Sequence, residues 1–199
     1  MKERRLVIIA GPNGSGKSSI TNLAYSNNII DKGYPYLCAD NIAIQLAKNN
    51  GNELSEDIYI EARQKTQTIK NEFIKNNKSF VYESLVSHIS HIEFFKFAKK
   101  NGYKIIVFFI ATDNPEINIK RVAKRVYEGG HNVPLEKIKP RYERCLKLLP
   151  DLVKIADKLY IYDNSKDNEP AQLCASAENG IITYYELAKL HSWVENSIG

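Results

Sequence analysis

Residues 6–10 read Leu-Val-Ile-Ile-Ala, and the next eight are Gly11-Pro12-Asn13-Gly14-Ser15-Gly16-Lys17-Ser18. A continuous apolar run rich in β-branched residues predicts a strand buried on both faces, as in a parallel sheet. The octapeptide fits G-x-x-x-x-G-K-[ST] in full, and a helix-forming stretch follows it. Strand, glycine loop and helix in that order hold phosphate. Glycines let the backbone curl until successive N–H groups converge on one point. The new helix adds the positive end of its dipole there. Lys17 reaches the β- and γ-phosphates, and the Ser18 hydroxyl is a ligand for Mg²⁺. Gly11, Pro12, Asn13, Gly14, Ser15, Gly16, Lys17, Ser18 and Ser19 are the expected nucleotide-binding residues. The motif calls for ATP or GTP and leaves open what is done with it.

The rest of the chain alternates strands and helices. Strands are expected at 36–39, 79–82, 104–111, 158–162 and, last, 181–185. Helices are expected at 18–27, 40–48, 55–76 and from about 89 to 100. A further helix opens at Pro115, another runs from near Pro140 to 149 or 155, and a short one ends the chain near 197. Ser55 caps the long helix, with Glu56 and Asp57 facing its positive end. Residues 129–140, with Gly129-Gly130 at one end and Pro134 and Pro140 within, are expected to be a mobile loop or short helical lid. Residues 163–171 are expected to be a polar loop. No repeat or linker interrupts this pattern. The expectation is one three-layer α/β domain over residues 1–199, a P-loop fold of the small-molecule kinase type. Its sheet would be mainly parallel, with five or six strands and a lid.

Composition narrows the partners. The 199 residues include 28 Lys and Arg against 23 Asp and Glu, a net charge of +5. That surplus suits phosphate-bearing ligands, or simply a solvated lysine-rich surface. Cys38, Cys145 and Cys174 are scattered, with no CxxC and no zinc spacing, so reduced thiols in a cytoplasm are expected. The longest apolar runs, such as 105–111, fall far short of the roughly 20 residues that cross a bilayer. The run at 6–10 is too short to be the apolar segment of a secretion signal. Neither a membrane nor nucleic acid is an expected partner.

A GTPase needs an NKxD-type base reader and a DxxG switch, and neither is present. A motor needs a strand ending in Asp-Glu, whereas 105–111 runs into Thr112-Asp113-Asn114-Pro115. What remains is the small-molecule kinase layout. Asp40 follows the second strand, where strand ends face the ligand crevice. There it either caps its helix or takes the proton of an attacking hydroxyl, or does both. Glu83, with Ser84 and Ser87, follows the third strand and is either a helix-start acid or a hydrogen-bonding group for a polyol or sugar. Arg121 and Arg125 share one helix face, and Arg141 and Arg144 lie on the next helix. Each alone fits a surface charge, but the cluster flanks the Gly-Gly break and suits counter-charge for phosphoryl transfer. His131 lacks a metal-binding partner and fits a lid contact or a solvated loop. Tyr34, Tyr36, Tyr82, Tyr103, Tyr127 and Tyr142 are expected at the half-buried edge of the core.

Five blocks carry a family resemblance: GPNGSGKSS at 11–19, ADNIA at 39–43, FVYESL at 80–85, Gly102-Tyr103 before an apolar strand, and RVAKRVYEGGHNVPLEKIKPRYER at 121–144. Together they resemble the zeta toxin family, especially its short stand-alone bacterial members, over about residues 4–165. The resemblance implies an ATP- and Mg²⁺-dependent kinase that phosphorylates a UDP-N-acetylsugar hydroxyl. It implies Asp40 as base and Glu83 as substrate-binding. Arg125 and Arg141 would hold phosphate, with Arg121 (nucleotide side) and Arg144 (acceptor side) as the next candidates. Leu85 stands where family members usually carry a threonine, and Pro140 where a basic residue is common.

The leading expectation is an ATP-dependent phosphotransferase acting on a hydroxyl of a small, nucleotide-linked acceptor. Lys17, Asp40, Arg125 and Arg141 are its catalytic residues, and Asp40, Glu83, Ser84 and Arg144 its acceptor contacts. If the chain is a toxin, a small helical antitoxin blocking the crevice is the expected partner. The alternatives are a nucleoside or polynucleotide 5′-hydroxyl kinase, and a nucleotide-gated regulatory module without transfer activity.

Overall fold

The computed structural model describes residues 3–49, 51, 54–128, 133–186 and 192–198. Five of its strands run parallel: β1 (Arg4–Ala10), β2 (Tyr36–Cys38), β3 (Phe80–Ser84), β4 (Tyr103–Ala111) and β5 (Lys158–Asp163). Two more, β6 (Gln172–Glu178) and β7 (Ile181–Tyr184), are added antiparallel beyond β5. The order across the sheet is β2-β3-β1-β4-β5-β6-β7. From β1 the chain goes first toward one edge, to β2 and β3, and then crosses to β4 on the other side. The carboxyl end of β1 is therefore the switch point where an open α/β sheet forms its crevice.

The apolar run of β1 divides by residue parity. Leu6, Ile8 and Ala10 face the larger core, with Phe80, Ile105, Phe109 and Ile161 from neighbouring strands. Helices α4 (Ile89–Lys100), α7 (Leu149–Ile155) and α8 (Ser192–Ile198) close this side with Phe95, Leu152 and Trp193. Val7 and Ile9 face the other way, onto Ile20 and Ala24 of α1 (Lys17–Ser26), beside Val81, Phe108 and Ile110. Successive strand side chains point to opposite faces, so a strand covered on both sides must be apolar throughout.

Two helix pairs rise from the carboxyl edge of the sheet. Helix α2 (Ala39–Asn49) packs on α3 (Glu56–Lys75) through a small separate cluster that includes Ala43, Leu46, Ile58 and Ala62. The expected cap of α3 is present, with Ser55 Oγ accepting from the Ile58 amide at 3.3 Å. Helix α5 (Pro115–Tyr127) packs on α6 (Leu135–Lys147) through Val122, Val133 and Ile138. Asn114 caps α5, accepting from the Glu116 amide at 2.9 Å.

Several expectations need correction. The sheet has seven strands among the described residues rather than five or six. The missed strand, β6, reads QLCASAE and is poor in strand-forming residues; its pairing with β5 and the burial of Cys174, Ala175 and Ala177 hold it in place. Helix α6 begins at Leu135, not near Pro140, and Pro140 lies inside it. At that position the proline removes the bond to the carbonyl of Glu136 and its ring crowds that carbonyl. The expected lid is therefore helical from Leu135 onward, while Gly129, Gly130 and His131 lie outside the described residues. Glu83 and Ser84 are the last residues of β3 rather than residues just beyond it. Of the six tyrosines, Tyr82, Tyr103 and Tyr142 are buried, and Tyr127 is 93% exposed. All three cysteines are free and buried. No helix among the described residues is long and apolar enough to cross a membrane.

Phe95 is fully buried between α4 and the sheet. Phe95→Ala is expected to lower the unfolding free energy by about 3–5 kcal/mol, read from urea denaturation.

Candidate active site

Backbone geometry at the end of β1 admits only glycine at the critical points. Gly11 has φ +147°, and a Cβ there would stand 2.0 Å from the carbonyl oxygen of Ile110. Gly16, the residue before α1, has φ +99°, and a Cβ would meet the Asn164 side chain at 2.3 Å. Lys17 begins α1 and lays its ammonium over the loop, donating to the carbonyls of Gly11 at 3.1 Å and Pro12 at 3.0 Å. Ser18, the second residue of the helix, is exposed. Ser15 Oγ and Asn13 Oδ1 are buried without a hydrogen-bond partner in the loop. Such a cradle, with a lysine, a helix N-terminus and a free hydroxyl at Ser18, fits a nucleotide polyphosphate and its Mg²⁺. Ser18 would be the side-chain ligand of the ion. Among the described residues no group of three or more His, Cys, Asp and Glu offers a further cage.

Two asparagines clamp this loop from outside, and the sequence reading missed both. Asn118 of α5 is fully buried; its Nδ2 donates to the Asn13 carbonyl at 2.6 Å, and its Oδ1 accepts from the Thr112 hydroxyl. Tyr142 of α6 donates in turn to the Thr112 carbonyl at 2.5 Å. Burial pushes the Tyr142 phenol upward, so it stays a donor. On the other flank, Asn164 donates to the Ser15 carbonyl at 2.9 Å, and its own carbonyl accepts from Arg121 at 2.7 Å. Arg121 also forks onto Asp167 at 2.7 Å. Its guanidinium is thus bound to the β5–β6 loop that supports the P-loop. Asn118 shares a helix face with Val122, four residues on, so a polar residue inside an apolar stripe was the available signal.

A cavity of about 990 Å³ opens beside the loop, between the two helix pairs. Lys17 and Asn13 line it together with Asp40, Glu83, Ser84 and Arg141. Asp40 is exposed in the first turn of α2. Tyr59 of α3 lines the same cavity; burial raises its phenol first, then the charge of Asp40, while Arg125 pulls it down. Arg125 therefore acts within electrostatic reach of Tyr59 in the cavity wall. Glu83 accepts a hydrogen bond from Tyr36. Burial, and then the charge of Glu83, push the Tyr36 phenol strongly upward and raise the Cys38 thiol to about 11. Just past β3, Val86 is buried with φ +51°, a strained conformation for a β-branched residue. Arg144 is exposed on α6 and does not line the cavity. The structure thus gathers Lys17, Asp40, Glu83, Ser84 and Arg141 at one cavity, with Arg125 close by, and directs Arg121 and Arg144 elsewhere.

The α3–α4 wall holds two titratable groups absent from the sequence reading. Lys70 is 5% exposed. His91 stacks on Tyr82 at 6.2 Å between ring centres and is lowered to about 4, chiefly by burial and then by the charge of Lys70.

Asn118→Ala strips the loop of one clamp and leaves the Thr112 hydroxyl with one fewer acceptor. It is expected to cost about 1–3 kcal/mol in denaturant unfolding. It should also weaken ATP binding in equilibrium titration. His91 titrates near 6.5 when unfolded and near 4 when folded. Between those values the unfolded chain binds the extra proton, so stability should fall as pH drops from 6.5 to 4, by up to roughly 3 kcal/mol. His91→Phe should flatten that part of the stability–pH curve.

Comparison with known proteins bears on the family and the fold. A protein of Haemophilus influenzae, described as uncharacterized, is 31% identical over 140 residues, 70% of this chain and 94% of that protein. Among solved structures, the AvrRxo1-ORF1:AvrRxo1-ORF2 complex with ATP superposes with a TM-score of 0.76 at 17% identity, over 99% of this chain. This chain spans only 64% of that one's length. A structure from the PezAT chromosomal toxin–antitoxin system of Streptococcus pneumoniae gives a TM-score of 0.63 at 15% identity, over 100% of this chain and 86% of that one. At such identities the superpositions establish a shared fold. The family model described as Zeta toxin matches residues 2–169, and this chain belongs to the zeta toxin family.

Proposed function

We propose that this chain is an ATP-dependent phosphotransferase whose acceptor is a hydroxyl of a small, nucleotide-linked molecule of the UDP-N-acetylsugar kind. The observation that carries the reading is the single cavity where the phosphate-loop lysine meets Asp40, Glu83 and Arg141. The loop amides, Lys17 and α1 hold the polyphosphate; Ser18 would contribute a ligand to Mg²⁺, which when bound would supply charge withdrawal from the phosphate oxygens. Glu83, braced by Tyr36, accepts a hydrogen bond from an acceptor hydroxyl, with Ser84 beside it. Asp40 takes the proton of the attacking hydroxyl as its oxygen bonds to the γ-phosphorus. Arg141 and Arg125 offset the charge that spreads over the transferring oxygens. Because α6 carries Arg141, movement of α6 toward the P-loop would deliver that guanidinium and exclude water.

A protein partner is part of the proposal. The AvrRxo1 and PezAT structures are of a two-protein complex and a toxin–antitoxin system. By the same logic, a small helical antitoxin would occupy the crevice of this chain and compete with ATP.

The test uses radiolabelled ATP, first with UDP-N-acetylglucosamine and then with a pooled metabolite extract. Label should enter a small acceptor. Asp40→Asn should reduce transfer by about 10²–10⁴-fold while ATP binding is retained. Near-normal transfer by Asp40→Asn would remove the base assignment, and no transfer to any metabolite would favour a nucleotide-gated regulatory module.

A further inference from the structure

Lys70 lies on the inner face of α3 and lines the cavity that holds Asp40 and Glu83. Its ammonium stands 4.2 Å from the ring centre of Phe94 on α4 and 4.8 Å from that of Tyr82 on β3. No carboxylate among the described residues forms an ion pair with it. The rings stabilise a cation through their faces but do not take up its three N–H donors as oxygen acceptors would. The nearby polar groups of α3 are already committed within the helix. Thr66 donates to the Ala62 carbonyl at 2.7 Å, and Gln67 donates to Asn71 at 3.3 Å. Two other cations around the cavity, Arg63 and Lys17, differ. Arg63 has Glu56 at 3.3 Å, and Lys17 is held by two loop carbonyls.

A cation buried without a counter-charge costs stability, and a methionine would fill the same space between Phe94 and Tyr82 without that cost. Burial lowers the Lys70 ammonium to about 8, which leaves it mostly charged at neutral pH. An anion arriving in the cavity would supply the missing counter-charge in a partly desolvated place, where such a pair is strong. We propose that Lys70 is an anion receptor of the cavity. It binds a phosphate or carboxylate group of the acceptor, separate from the phosphates held by the loop at 11–18. The inference rests on reading the cavity as the acceptor cleft. It makes Lys70 the residue that discriminates a charged acceptor from a neutral sugar.

The experiment measures binding without turnover, on the full chain with its P-loop saturated by AMP-PNP and Mg²⁺. Inorganic pyrophosphate and malonate are the probes, and N-acetylglucosamine is the neutral control. Wild-type protein should bind one of the anions more tightly than the control. Lys70→Met should weaken that binding at least tenfold, and Lys70→Arg should weaken it less. The melting temperature of ligand-free Lys70→Met should equal or exceed that of the wild type. Binding of pyrophosphate alone assigns a phosphate group, and binding of malonate alone a carboxylate. The proposal is overturned if neither anion binds, or if Lys70→Met binds as the wild type does. A lower melting temperature with unchanged binding also overturns it, since that marks a structural lysine. Should Lys70→Met fail to fold, Lys70→Gln replaces it under the same criteria. Failure of the phosphotransferase reading appears separately, as absent transfer from ATP with anion binding intact. Transfer with no anion binding that depends on Lys70 overturns this inference alone.

Discussion

The approach of Gly11 to β4 is the constraint on which the rest of the site depends. With no room for a side chain against the Ile110 carbonyl, the loop leaves β1 tight against the neighbouring strand. That path fixes where α1 begins and where Lys17 and Ser18 stand. The loop is also held from outside. Asn118 grips it at Asn13 and Asn164 at Ser15, from opposite sides. Each clamp belongs to a separate unit, α5 in one case and the turn after β5 in the other. Phosphate binding and the packing of the C-terminal half are therefore mechanically joined.

This linkage extends to α8. Trp193 donates to Asp163 at 2.7 Å, and the same carboxylate accepts from Ser165, next to Asn164. Ser165 also accepts from the Asp113 amide at the end of β4. A late helix thus helps shape a loop formed near the start of the chain. Arg121 belongs to this support. Its fork onto Asp167 and the Asn164 carbonyl makes it a brace for the nucleotide loop, whereas Arg141 faces the cavity.

The charged groups of the cavity come from several elements. Acids stand where strands and helices meet at the carboxyl edge of the sheet: Asp40 after β2 and Glu83 at the end of β3. Cations come from Lys17, Arg141 and Lys70 on three different helices. Opposed charges held apart by rigid elements suit a site where negative charge moves from one group to another. The strained backbone at Val86, two residues after Ser84, lies where such a site demands an exact path.

The local signals in the sequence were strong wherever function requires a fixed order along the chain. The P-loop, Asp40 after β2, Glu83 at the end of β3 and the capped helices α3 and α5 are all readable from adjacent residues, because backbone curl, capping and strand ends are local physics. The Asn179-Gly180 turn, with both residues at positive φ between β6 and β7, was equally local and was overlooked. Long-range partnerships were not readable. Nothing near Asn118, Asn164 or Lys70 in the sequence names Asn13, Ser15 or the rings of Tyr82 and Phe94, since a side chain's partner across the fold depends on how helices dock. By itself the sequence determined a phosphate loop on a parallel sheet and the residues that follow its strands. Only the tertiary structure decided which arginine faces the cavity, which one braces the loop, and that a lysine is buried in the cavity wall, because packing sets those orientations and not spacing along the chain.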